Sequence, residues 1–344
     1  MKKLGMLLLL TSTAVLSGCW GEKQIEQQKE EELTVTAKEK KSEYIYPLTG
    51  ETSDSAPQHR AAAIVINNHP KARPQTGLAD ADLVYEVLAE GNVTRFLAFY
   101  QSEQPEIAGP VRSARDYFIE LAKGYESLFI AHGYSPEARD MLFNGDIDQV
   151  NGIQNDGTIF KRDPSRVAPH NSYAELEGIY EKADESGFEL NVPPDSLSFL
   201  TKSEVKELTG QAADRVQVNY SEQAAFQVEY QFNSKSGSYE RYAGGQKAMD
   251  RETGEAIQAK NILIIEADHR VIDAEGRLDI DLTSGGDAYF LQDGWVQSVE
   301  WSNVRGRILP FKEENSLGFI PGKTWINIIP ASKGLTKMVN LENN

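Results

Sequence analysis

The spacing of apolar residues changes character along the chain. Residues 4–16 form a short apolar run behind Lys2 and Lys3, and residues 20–42 show no sustained apolar face. From 57 to 190, short apolar runs alternate with helical patterns. Ala61–Ile66 is apolar and stops at Asn67-Asn68-His69-Pro70, which predicts a buried strand delivering a polar loop at its C-terminal end. Asp82–Glu90 and Arg95–Tyr100 read as strands joined through Gly91-Asn92, and Leu128–His132 as another. Arg112–Lys123 reads as a helix approached through Gly109-Pro110. Ser135 is a suitable N-cap with Pro136 at the first helical position. Ser172-Tyr173-Ala174-Glu175 has capping-box spacing and predicts a helix running to about Ser186.

Beyond residue 215 the period becomes two. Phe226–Phe232, Ser238–Tyr242, Asn261–Glu266, Arg277–Leu282, Asp287–Leu291, Trp295–Trp301 and Thr324–Ile329 alternate, with turns at Gly285-Gly286, Asp293-Gly294 and Pro321-Gly322 between them. Pro193-Pro194 and a short helix after Thr201 mark the boundary. The expected fold is α+β. An N-terminal α/β-type domain with a mixed sheet and flanking helices spans 44–190, and a linker spans 191–215. A smaller β-rich domain, a curved antiparallel sheet or partly closed barrel, spans 216–344.

Composition agrees and narrows the function. A chain of 344 residues predicts about two domains. Its 13 Phe, 14 Tyr and 4 Trp exclude a disordered chain. Acidic residues outnumber basic ones 52 to 35, so the net charge of −17 opposes nucleic acid as a partner. A single cysteine excludes an internal disulfide and a thiolate zinc site. That cysteine, Cys19, closes the tetrapeptide Leu16-Ser17-Gly18-Cys19 behind a basic n-region and a short apolar h-region. This resembles the lipobox of bacterial lipoproteins. The resemblance implies a signal peptide over 1–18, a diacylglycerol thioether on Cys19 with palmitate among its chains, and cleavage before Cys19. The apolar run is too short for a comfortable membrane span, which needs about 20 residues. Multiple acyl chains would instead hold the chain at the cell membrane, on its extracytoplasmic face. Residues 19–43 read as lipid anchor and polar tether, placing the domain roughly 30 Å from the bilayer.

Arginine is preferred to lysine between 60 and 190, and its planar fork suits carboxylate and phosphate. In Gly109-Pro110-Val111-Arg112-Ser113-Ala114-Arg115-Asp116, a helix starting near Arg112 or Ser113 would bring free N–H groups, a hydroxyl and two guanidinia to one anion. Alternatively, Arg112 and Arg115 pair with Glu86, Glu90 or Asp116 as structural braces. His69, His132 and His170 lie where strands end or helices begin, the usual ligand-binding edge of α/β sheets. None has metal-ligand spacing, so hydrogen-bonded loop histidines are the plainer reading. Asn67, Asn68, Arg73, Arg95 and Asn171 share these segments. The sequence carries no Gly-x-Ser-x-Gly elbow, Walker loop or dinucleotide motif, and no cofactor or metal is expected. Ser113 is the one serine placed as a candidate nucleophile.

Asn67-Asn68-His69-Pro70 with Arg73-Pro74-Gln75, Ala81-Asp82, Tyr85-Glu86, Thr94-Arg95-Phe96, Gly109–Arg115, Pro169-His170-Asn171 and Gly322-Lys323-Thr324-Trp325 together resemble the YerB-type lipoproteins of Firmicutes. The likeness covers about Tyr46 to Pro330 and implies two modules dividing near 190–225. It implies no reaction, since no activity is established for that family.

The preferred reading is a noncatalytic, membrane-tethered binding protein for an anionic ligand: a wall fragment, a peptide or a phosphate-bearing molecule. Its cleft would draw on Asn67, Asn68, His69, Arg73, Glu86, Arg95, Arg112, Ser113, Arg115, His132, His170 and Asn171. The alternatives are an extracytoplasmic hydrolase using the histidines with Glu86 or Glu90, and a docking module for another membrane protein.

Overall fold

The computed structural model describes residues 44–343; Cys19, the apolar leader and the polar tether lie outside the described residues. The apolar run near residue 61 becomes the strand Ala62–Asn67, buried at every position. Leu83–Leu88 and Thr94–Tyr100 are likewise buried along their lengths. Strands this apolar need cover on both faces. They receive it as central members of a 12-stranded mixed sheet.

From one edge, that sheet runs Asn315–Ser316, Arg307–Lys312, Trp295–Val304, Gly286–Gln292, Asn261–Ala267 and Thr324–Pro330. It continues through Leu83–Leu88, Thr94–Tyr100, Ala62–Asn67, Leu128–Ala131 and Gln149–Asn151. Gln211–Ala212 pairs beside Trp295–Val304. The C-terminal half is therefore not a self-contained antiparallel sheet or barrel. Thr324–Pro330 runs parallel to Asn261–Ala267 on one side and to Leu83–Leu88 on the other. Every one of its seven residues is buried, so it belongs at the centre of a covered sheet.

Alternation along the strands assigns the two faces. Ala63, Val65, Tyr85, Leu97 and Ile326 pack with Phe118, Leu121, Ala138 and Leu142 of the helices Asp116–Lys123 and Pro136–Asn144. Ile64, Val84, Phe96, Ile262 and Trp325 face the opposite way. They pack with Ile179 of the helix Leu176–Glu185 and with Val218, Val228 and Tyr239 of a second, six-stranded sheet. The result is a layered α+β molecule in which the second sheet, built from the C-terminal half, covers part of the first.

Two local expectations shift. The helix expected over 112–123 begins only at Asp116, and residues 109–115 are extended. Ser172–Glu175 is a strand, and the helix starts at Leu176 without a side-chain cap bond. Pairing to Phe160–Arg162 and to Ile107–Ala108 outweighs the local capping pattern there. Ser135 does cap its helix, its hydroxyl accepting from Ala138 N, and Thr201–Glu204 forms a capping box.

Candidate functional site

Parallel pairing of Ala62–Asn67 with Leu128–Ala131 brings their following loops to one edge of the sheet. The extended segment 109–115 threads between these loops. Arg112 N donates to Val65 O, Val111 N to Ser172 O, His132 N to Arg112 O and Ala114 N to Gly133 O. The Arg112 and Ala114 amides are therefore used within the sheet edge, and a helix N-terminus at Arg112 or Ser113 does not form. The Arg73-Pro74, Gly109-Pro110 and Ala168-Pro169 bonds in these loops are cis.

His69 and His170 stack with ring centroids 4.7 Å apart and planes 24° from parallel. Their tautomers follow from their partners. Asn67 Oδ1 accepts from His69 N at 2.9 Å, which turns Asn67 Nδ2 toward His170 Nδ1, also at 2.9 Å. His69 Nδ1 accepts from Lys71 N at 3.1 Å. Each Nδ1 is thus an acceptor, so each neutral ring carries its proton on Nε2 and offers a donor there. Burial, with the charges of Lys71, Arg73 and Arg112 adding, holds His69 below the usual histidine range. Burial likewise lowers His170, together with His69 and Arg112.

Beside this stack lie three guanidinia and one carboxylate. Arg95 Nη2 donates to Glu90 Oε2 at 2.7 Å, and Arg115 Nη2 bonds the other Glu90 oxygen. Arg95 Nη1 and Arg115 Nη1 donate to Ser113 O and Ala114 O, each at 2.7 Å. Burial alone would raise the Glu90 carboxyl; Arg95, Arg115 and Arg112 together hold it below the usual range. Arg95 is almost fully buried, and that burial pushes it down to about 10. Arg112 is half-buried, and its guanidinium makes no hydrogen bond or ion pair with a described residue. Burial and Arg115 lower its pKa, while Glu90 opposes them.

His132 is engaged on both nitrogens. Arg162 Nη2, an obligate donor, lies 3.1 Å from Nε2, so the proton sits on Nδ1 and is given to Ser172 Oγ at 2.7 Å. Burial and Arg162 both lower its pKa. Gly152 backs the ring; a Cβ there would lie 2.3 Å from His132 Nδ1. Arg162 also holds Asn171 Oδ1 at 3.2 Å and pairs with Asp156 at 2.8 Å. Ser113 Oγ donates to His132 O at 3.1 Å, away from any activating base.

The remaining candidates turn inward. Asn68 Nδ2 donates to Glu86 Oε1 at 3.0 Å, and Arg73 Nε donates to Asn68 Oδ1 at 3.0 Å. Glu86 is fully buried and pairs at 2.9 Å with Arg241 of the second sheet, rather than with Arg112 or Arg115. Sequence reasoning missed Arg241 because it lies 155 residues from Glu86. It also missed Arg162, Gln75 and Thr94, which lock Asn171, Asn67 and Asn68. The Thr94-Arg95-Phe96 string was a signal for one of these. Asn67, His69 and His170 thus form one linked group and Arg95 and Arg115 with Glu90 another, with Arg112 within electrostatic reach of both. His132, Ser113 and Asn171 brace their flank, and Asn68, Arg73 and Glu86 belong to the contact between the sheets.

Residues 48–189 match the family described as "Protein of unknown function (DUF3048) N-terminal domain", and residues 216–326 match its C-terminal domain. The chain is 44% identical over 305 residues to "Putative lipoprotein YerB" of Bacillus subtilis (strain 168), a match covering 88% of this chain and 90% of the relative. It is also similar to the crystal structure of the YerB protein from Bacillus subtilis. There the TM-score is 0.80 at 42% identity, over 87% of this chain and 99% of the solved one.

Proposed function

Given that the chain belongs to the YerB-type lipoprotein family, we propose that it is a membrane-tethered binding protein for an oxyanion, anchored through Cys19 on the extracytoplasmic face. The ligand is a carboxylate or phosphate group, of a wall fragment or a peptide, held beside Arg112. The carrying observation is the unmatched charge: Arg95 and Arg115 take the two oxygens of Glu90, and the guanidinium of Arg112 has no acceptor among the described residues. The Nε2–H groups of His69 and His170 add donors without adding a competing anion. A site made of donors suits an anion.

The same tautomers favour binding over hydrolysis. A general base needs an unprotonated nitrogen facing the substrate. In His69 and His170 the unprotonated nitrogen is occupied by Lys71 N or Asn67 Nδ2, and in His132 by Arg162.

Calorimetric titration of the full chain in detergent with inorganic phosphate and with muramyl dipeptide tests this reading. Loss of a charge-assisted bond predicts at least about tenfold weaker binding in Arg112→Gln. Arg139→Gln, whose arginine is exposed and paired with Asp140, serves as control. Equal affinity in Arg112→Gln and the control rejects the site.

A further inference from the structure

A second cationic site lies where the two sheets meet. A groove of about 450 Å³ opens between the loop Pro70–Gln75 and the hairpin formed by Ser238–Ala243 and Gln246–Lys247. Its floor is Arg241, only 2% exposed. Glu86 holds this guanidinium from behind at 2.9 Å, and it lies over the rings of Phe96 and Trp325, 5.1 and 4.8 Å from their centroids. Its Nε nevertheless has no hydrogen-bond partner among the described residues. A buried donor left unmatched is costly, and such groups usually have a reason.

Arg73 lines the same groove. Among the described residues its acceptors are neutral: Asn68 Oδ1 at 3.0 Å and Ala225 O at 2.8 Å. Burial, with the charge of Arg241 adding, pushes Arg73 down to about 10. Lys247, the third cation, is matched by Glu240 at 2.8 Å. Three cations therefore face two carboxylates, neither of which lines the groove, and one positive charge is left over. Pro70, Pro74, Ala225 and Met249 supply apolar walls. Small-molecule sites combine this size range with apolar walls and a few convergent polar groups.

From the unmatched charge and the orphaned donor, we infer that this groove binds a small ligand with a terminal oxyanion, carboxylate or phosphate, on a compact apolar body. Its oxyanion takes the free valences of Arg73 and Arg241, and its apolar part lies against Pro74 and Met249. The site rests on different side chains from those placed beside Arg112.

The test is calorimetric titration of the full chain in detergent with N-acetyl-alanyl-alanine, its C-terminal amide and phenyl phosphate. The acid, phenyl phosphate or both bind, and the amide does not; which anion binds more tightly identifies its source. Arg73→Gln weakens binding at least about tenfold, as expected for a charged hydrogen bond removed. Met249→Trp, which fills the groove at a partly exposed position without altering its charge, also weakens binding, and it decides the matter if Arg73→Gln does not fold. The titrations are read in the Arg112→Gln background, which removes the first proposed anion site, and the binding described is the part that persists there. The inference is overturned if neither anion binds at millimolar concentration or if the amide binds as tightly as the acid. It is equally overturned if Arg73→Gln, or Met249→Trp in its place, retains full affinity, or if Arg112→Gln alone abolishes binding.

Discussion

Glu86 is surrounded by donors and shut off from water. Its Oε1 accepts from Asn68 Nδ2 and Thr94 Oγ1, and its Oε2 from Arg241 Nη2 and Trp325 Nε1. These bonds tie the loop after Ala62–Asn67, the central sheet and the second sheet to one carboxylate. Breaking a buried ion pair by removing one partner leaves an uncompensated charge and costs about 3–5 kcal/mol. Arg241→Ala is therefore expected to lower the unfolding free energy by that amount in urea, whereas Glu86→Leu with Arg241→Met recovers most of it. Asp82 shows the opposite balance. It accepts from Gln101 N at 2.7 Å and Ser102 N at 2.9 Å, yet burial pushes its carboxyl up to about 6. Unfolded, it titrates near pH 4, so between about pH 4 and 6 the folded chain keeps a proton the unfolded chain has lost. Stability contributed at this residue is present below that window and declines as pH rises through it, by roughly 3 kcal/mol. Asp82→Asn should remove that decline; an unchanged difference between urea midpoints at pH 4 and pH 7 would refute the assignment.

At the scale of elements, the site is held by packing that leaves little slack. Alanine at Gly152 would place a methyl inside the His132 ring position. Moving the ring breaks its bonds to Ser172 and Arg162, so Gly152→Ala is expected to cost about 1–3 kcal/mol, read from the thermal midpoint. How much of this was legible in the sequence depends on range. Ala62–Asn67, Thr94–Tyr100 and the helix after Ser135 are announced by their own residues, because burial on two faces and an N-cap leave local marks. Ser172–Glu175 is misread because capping chemistry is the stronger local signal, while its pairing is to Phe160–Arg162 across a loop and to Ile107–Ala108 far back in the chain. The Arg112 region is legible as a cluster of arginines. The division of labour within it is not, since Glu90 takes Arg95 and Arg115 while Glu86 turns to a residue in the other half.

For the molecule as a whole, the two halves share a sheet and are also latched at its margin. Arg307 Nε donates to Gly124 O at 2.6 Å, Nη1 donates to Asp195 O at 2.8 Å, and the guanidinium lies 4.9 Å from the Tyr125 ring centroid. Gly124 meets Gly306 so closely that a Cβ on it would lie 2.4 Å from the Gly306 backbone. A continuous core of this kind predicts one calorimetric transition for the described body, with the calorimetric and van't Hoff enthalpies equal. Two resolved transitions would contradict it. The strand Thr324–Pro330 also carries a consequence in time. It supplies one neighbour of Leu83–Leu88, yet about 240 residues separate the two strands. On a ribosome adding about 5–20 residues per second, roughly 10–50 s pass between the synthesis of one and that of the other. Throughout that interval the nascent chain carries an open strand edge beside Leu83–Leu88, so its greatest exposure to aggregation comes before Thr324–Pro330 has been made.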